Sequence, residues 1–211
     1  MTAEISAISR HRIGIDGDGV TTLVVFMSCP LRCKYCLNPQ TLSKQYPSKS
    51  YTVEDLYGEV KVDELYFLAT GGGVTFGGGE PLLNCEFISE FRDICGKDWK
   101  INVETSLNVP LEQLQKAASC VDSFIVDIKD MSSDIYFSYT GKDNSRVLDN
   151  LRYLASAGMA DSCVIRVPLI PGFNEEKDVE SSMELLKSIG FSNFDKFTYT
   201  TQIHGKGKRD L

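Results

Sequence analysis

A chain of 211 residues, 42% hydrophobic and 24% charged, has the make-up of a folded globular protein rather than a disordered one, with enough length for one large core. Its formal charge of -7 excludes nucleic-acid binding through a broad positive surface. No apolar run reaches the roughly 18 residues of a membrane span, and the N-terminus has no basic-then-apolar leader, so the expectation is a cytoplasmic protein without a membrane partner. Seven cysteines, an odd count in a chain too large to need staples, favour reduced thiols or metal ligands over a disulfide framework.

In chain order, apolar β-branched runs predict strands at residues 20–27, 74–76, 101–104, 124–129, 164–170 and 197–200. Helical spacing fills the intervals at residues 54–68, 86–94, 111–118, 146–157 and 177–189. Thr52 ahead of Glu54 and Asp55 marks a helix start, and Gly158 marks a stop. Strands separated by helices need crossover connections and therefore pair in parallel. The expected fold is α/β, an incomplete parallel (β/α)6 barrel in one domain spanning 1–211, with no repeat or linker to divide it. At the C-terminus Lys206, Lys208 and Arg209 are spaced by glycine and read as solvated charge.

Parallel sheets collect functional groups at the C-terminal ends of their strands, where loops vary over a fixed scaffold. Cys29, residues 77–80, Glu104 to Ser106, Asp127 to Lys129 and Arg166 all fall at that rim of the predicted sheet. Cys29, Cys33 and Cys36 lie within eight residues on the loop after the first predicted strand. Thiolates suit zinc and iron-sulfur clusters alike. Structural zinc usually takes four ligands in short pairs, and Cys85, Cys95, Cys120 and Cys163 have no Cys or His at pair spacing. A cubane on three thiolates keeps one iron open for a substrate, so the missing fourth ligand is informative.

Cys-x3-Cys-x2-Cys with Tyr35 before the last cysteine resembles the radical S-adenosylmethionine (radical SAM) superfamily. The resemblance implies a [4Fe-4S] cluster on Cys29, Cys33 and Cys36. Its open iron would chelate the methionine part of S-adenosylmethionine, and one electron would split the cofactor into methionine and a 5′-deoxyadenosyl radical. Gly78-Gly79-Glu80-Pro81 resembles the family's Gly-Gly-Glu-Pro motif, which receives the cofactor's amino group. Asp127 and Lys129, alternating with Ile128 on one strand face, resemble the Asp-x-Lys motif of glycyl-radical activating enzymes and imply cofactor contacts.

The wider resemblance, from about Ile15 to Gly172, is to activating enzymes of the pyruvate formate-lyase type, with Ile15-Asp16-Gly17, Cys36-Leu37-Asn38-Pro39, Gly71-Gly72-Gly73-Val74-Thr75 and Pro171-Gly172 as further supports. It implies an anaerobic oxidoreductase that installs a glycyl radical in a partner enzyme and takes electrons from flavodoxin or ferredoxin. Arg166 would touch the cofactor, Glu104 with Thr105 and Asp127 would form a monovalent-cation site, and His204 lies near the family's cofactor histidine. The short span from the cysteine loop to Gly78 leaves no room for an added ferredoxin domain. Asp18-Gly19-Val20-Thr21 stands where the family carries Pro-Gly-x-Arg, so a basic residue expected near the site is missing. The alternatives are a radical enzyme acting on a small molecule or a ribosomally made peptide, and a non-catalytic iron-sulfur carrier.

Overall fold

The computed structural model describes residues 1–199, so His204 and the basic residues after it lie outside the described residues. The chain opens with a strand that its sequence does not announce. β1 (Thr2–Ile13) runs antiparallel to β2 (Val20–Phe26), joined by a turn in which Gly14, Gly17 and Gly19 take positive φ. Only Ala3 and Ile5 of β1 are buried. β3 (Lys49–Thr52) then pairs antiparallel with the first residues of β1.

The first helical stretch divides into α1 (Val53–Val60) and α2 (Glu64–Thr70). Thr52 caps α1 as expected, its hydroxyl accepting from the Asp55 backbone nitrogen at 3.1 Å. The continuous helix expected over 54–68 breaks at Asp63 for a tertiary reason. The buried Asp63 carboxylate accepts from Arg10 at 2.5 and 2.7 Å and from Thr22 Oγ1 at 2.9 Å, which ties this corner to β1 and β2. Gly71, left-handed at φ 70°, ends α2.

From here strand and helix alternate: β4 (Gly73–Gly78), α3 (Cys85–Cys95), β5 (Lys100–Thr105), α4 (Leu111–Ala118) and β6 (Ser123–Asp127). Next come α5 (Ser133–Thr140), which was not expected, α6 (Ser145–Ser156), β7 (Cys163–Leu169), α7 (Glu176–Ile189) and β8 (Phe194–Thr198). The sheet order is β3-β1-β2-β4-β5-β6-β7-β8, and every pair from β2 to β8 is parallel. The six expected parallel strands are therefore present, extended by two antiparallel strands at one edge. β3 and β8 end the sheet without pairing to each other, which leaves it open.

Aromatic side chains fill the layer between the sheet and the first helices. Phe26 stacks on Phe76 at 5.4 Å, Phe76 meets Phe91 edge-on at 5.4 Å, and Trp99 stacks on Tyr57 at 5.2 Å. Each such pair adds about 0.5–1.5 kcal/mol beyond its buried area. This core holds β2, β4 and β5 rigidly side by side, so the loops at their C-terminal ends start from fixed points. Among the described residues no helix is long and apolar enough to cross a membrane.

Candidate active site

The C-terminal strand ends surround a cavity of about 640 Å³. Cys29, Cys33 and Cys36 line it from the loop after β2, facing Gly78 and Gly79 at the end of β4. The cysteine loop is pinned by backbone hydrogen bonds on three sides. Glu80 N donates to Ser28 O at 2.8 Å, Ser28 N to Thr41 O at 2.9 Å, and Arg32 N to Thr140 O at 2.9 Å. Burial raises the Cys33 thiol, and burial reinforced by Glu80 pushes Cys29 up to about 12. Among the described residues no group of three His, Cys, Asp or Glu side chains is set around one ion position. The three thiols line the same cavity.

Gly78 and Gly79 do line the cavity, but packing accounts for their lack of a side chain. A Cβ on Gly79 would overlap the Ser28 carbonyl and come within 2.8 Å of its carbon. One on Gly78, at φ +96°, would come within 3.0 Å of Val25 Cα. The close approach thus brings β4 against the backbone leading into the cysteine loop.

Glu80 departs from its expected role as a cofactor contact. It is fully buried and does not line the cavity. Its two oxygens accept from Thr105 Oγ1 at 2.7 Å, Ser106 Oγ at 2.7 Å, Ser106 N at 3.0 Å and Leu82 N at 3.2 Å. Burial raises its carboxyl, and these donors partly offset the rise. Glu80 shapes the rim by tying the end of β4 to the end of β5.

Tyr35 also stays off the cavity lining. Its ring meets Phe173 at 5.6 Å and Tyr139 at 6.1 Å, and its hydroxyl donates to Pro171 O at 3.2 Å. It packs the cysteine loop against the loop after β7.

Asp127 and Lys129 face the cavity together, by a route other than strand alternation. β6 ends at Asp127, and Lys129 takes φ 62° at the centre of a tight turn in which Asp130 N donates to Ile128 O at 2.8 Å. Lys129 Nζ donates to Asp127 Oδ2 at 2.9 Å and to Tyr199 Oη at 3.1 Å. Burial alone would lower this amine, but Asp127 and Tyr199 outweigh it and raise it well above its ordinary value.

Register sets the remaining charges. Asp127 on β6, Arg166 on β7 and Asp195 on β8 lie directly opposite one another. Arg166 donates to Glu104 and to Ile15 O at 3.0 Å, and its guanidinium lies 4.0 Å from Asp127. It occupies the ground between Glu104 and Asp127 where the sequence suggested a monovalent cation. Thr105 Oγ1 is committed to Glu80. Burial and Asp127 raise the Glu104 carboxyl, partly countered by Arg166.

The Asp18-Gly19-Val20-Thr21 segment carries no basic residue, but one reaches the cavity from β1. Arg12, near the end of β1, lines the cavity and pairs with Asp16. Neither this pair nor Tyr199 was singled out as a site residue, because Arg12 reaches the site only through the unrecognised strand. The completed wall carries Arg12, Lys129 and Arg166 against Asp16, Glu104, Asp127 and Asp195. Such mixed charge suits a ligand with both an ammonium and a carboxylate.

The chain matches the Radical SAM superfamily over residues 23–186. It is 33% identical over 194 residues to the pyruvate formate-lyase-activating enzyme of Staphylococcus epidermidis, covering 87% of this chain and 74% of that one. Among solved structures, a domain of pyruvate-formate lyase-activating enzyme from Bacteroides vulgatus is 33% identical with a TM-score of 0.54, covering 62% of this chain and 83% of that one. Streptococcus suis SuiB bound to S-adenosylmethionine shares the fold at a TM-score of 0.66 with 15% identity, over 85% of this chain and 40% of that one. A family match over most of the chain and a third of the aligned residues shared with a named activating enzyme leave one assignment: the chain belongs to the radical SAM superfamily.

Proposed function

We propose that this protein is a radical SAM activating enzyme that installs a glycyl radical in a partner protein, using a [4Fe-4S] cluster held by Cys29, Cys33 and Cys36. The observation that carries this reading is its 33% identity to a pyruvate formate-lyase-activating enzyme across 87% of the chain. The donor set supports the cluster: three thiols, with no fourth cysteine among the residues lining the cavity. When bound and reduced by one electron, the cluster supplies reductive cleavage of S-adenosylmethionine to methionine and the 5′-deoxyadenosyl radical.

The chain's own residues bind, orient and shield. Lys129 and Arg166 would attract the cofactor's carboxylate, with Asp127 and Glu104 holding both cations in place. The backbone around Gly78 and Gly79 would receive the amino group, since side chains are excluded there. Glu80 fixes Thr105 and Ser106 at the facing wall. Because Arg166 supplies the positive charge between Glu104 and Asp127, the reading needs no monovalent cation. It treats residues 1–211 as one core domain without a ferredoxin module. It places the enzyme in the cytoplasm, supported by seven cysteines that form no disulfide.

Electron paramagnetic resonance tests the reading. The reduced protein, incubated anaerobically with S-adenosylmethionine and a glycyl-radical enzyme, is expected to generate a glycine-centred doublet in that partner. Transfer of deuterium to 5′-deoxyadenosine from a small metabolite or short peptide, and from no glycine-labelled protein, would reject the activase assignment while leaving the radical chemistry intact.

A further inference from the structure

A carbon radical ends on the weakest bond to hydrogen within its reach, and the wall of the main cavity offers few weak ones. The thiols of Cys29, Cys33 and Cys36 are taken up once they ligate a cluster. One phenol is left. The chain has nine tyrosines, all within the described residues, and Tyr199 alone lines this cavity.

Tyr199 is held on three sides. Its backbone nitrogen, just past the end of β8, donates to Leu169 O at 2.9 Å. Its ring centre lies 5.3 Å from that of Phe197 and 6.1 Å from that of Tyr139. Its hydroxyl oxygen accepts from Lys129 Nζ at 3.1 Å. An ammonium can only donate, so that contact does not engage the phenol's own hydrogen. The residue is buried, and burial raises its phenol against the opposing pull of Lys129, which keeps the hydrogen on the oxygen at neutral pH. Binding of the cofactor as described above employs Lys129 and leaves Tyr199 without a task.

We propose that Tyr199 donates a hydrogen atom into the cavity and quenches the 5′-deoxyadenosyl radical when no recipient protein is docked. The proposal rests on the radical SAM assignment and the cofactor placement made above. The O–H bond of Tyr199 breaks and a C–H bond forms at C5′. The products are 5′-deoxyadenosine and a neutral tyrosyl radical, with no electron entering or leaving. The step runs downhill because the tyrosyl radical is delocalised over its ring, whereas the primary alkyl radical is localised. Repair takes one electron, from the reductant that serves the cluster, and one proton, for which the Lys129 ammonium already holds a hydrogen bond to the oxygen. Abstraction from backbone or cofactor would leave a lesion that this reductant does not mend. A docked glycine competes for the same radical, so donation by Tyr199 falls as recipient is added.

The test uses anaerobically reconstituted protein that has been exchanged into deuterium oxide, reduced, freed of excess dithionite and mixed with S-adenosylmethionine without a recipient. The phenol hydrogen exchanges with solvent, so wild-type 5′-deoxyadenosine is expected to carry deuterium by mass spectrometry. Samples frozen during turnover should show a tyrosyl radical by electron paramagnetic resonance, with hyperfine structure that collapses when ring-deuterated tyrosine is incorporated. These two wild-type readouts hold whatever a substitution does to folding. Tyr199→Phe, which keeps the ring, should lose both signals, with cofactor affinity measured by calorimetry on the same preparation. Tyr46→Phe, at an exposed site outside the cavity lining, should lose neither. Adding a glycyl-radical enzyme should lower the deuterium content. Wild-type product free of solvent deuterium, product formed only when a recipient is present, or both signals undiminished in Tyr199→Phe would overturn the proposal and leave the radical chemistry standing. Absence of 5′-deoxyadenosine with and without a recipient would overturn the assignment beneath it, and the proposal with it.

Discussion

Glu80 Oε2 accepts hydrogen bonds from both the backbone nitrogen and the hydroxyl of Ser106, at 3.0 and 2.7 Å. With Thr105 Oγ1 and Leu82 N on the other oxygen, no donor of this buried cluster has an obvious second acceptor. Glu80→Ala is therefore expected to lower the unfolding free energy by about 1–3 kcal/mol, the cost of leaving buried donors unsatisfied. Glu80→Gln, which keeps the shape and part of the acceptor capacity, should lose less. Urea unfolding of the protein without cluster checks both, and an alanine variant as stable as wild type would contradict the bracing role.

Gly79→Val is expected to reduce iron content as well as cofactor affinity. The added side chain would strike the Ser28 carbonyl, one residue before Cys29, and displace the loop that carries the thiols. Iron and sulfide analysis after anaerobic reconstitution measures the first effect. Full iron content with only cofactor binding lost would show that the glycine serves the cofactor and not the loop.

Lys129→Met should leave iron content unchanged and weaken S-adenosylmethionine binding about tenfold, the loss of one charge-assisted contact at roughly 1.4 kcal/mol. The side chain is buried between Asp127 and Tyr199, so methionine preserves its packing. Isothermal titration of reconstituted protein separates the roles, and unchanged affinity would reduce Lys129 to a structural ion pair.

Much of the rim was legible because the signals there are local: cysteine spacing, the glycine run and apolar strand runs. What escaped depends on distant partners. β1 has only Ala3 and Ile5 buried, and its polar Arg10-His11-Arg12 end hides a strand that delivers Arg12 to the cavity. The helix expected over 54–68 breaks because Asp63 bonds to Arg10 and Thr22, 53 and 41 residues away. Glu80 looked like a ligand contact because its four donors are gathered only by the fold. Lys129 reaches its neighbours through a positive φ that periodicity cannot reveal.

Asp63 gives a pH-dependent prediction. Burial pushes its carboxyl up, but hydrogen bonds from Arg10 and Thr22 prevail and hold it below the ordinary range. A depressed value means that its contribution is present above the ordinary aspartate pKa near about 3.9 and is lost as pH falls through the folded value. Asp63→Asn should cost about 1–3 kcal/mol at neutral pH, and the gap to wild type should shrink below about pH 4. Paired denaturation curves across that window check it, and a gap that widens in acid would contradict the assignment.

The central claim is that Cys29, Cys33 and Cys36 together support reductive cleavage of S-adenosylmethionine, and formation of 5′-deoxyadenosine by anaerobically reconstituted, dithionite-reduced protein measures it most directly. Wild type and the single alanine variants of Cys85, Cys95, Cys120 and Cys163 are expected to produce it, while Cys29→Ala, Cys33→Ala and Cys36→Ala should produce none. Product from any of those three variants at the wild-type rate, or its loss in one of the other four with the fold intact, would contradict the account.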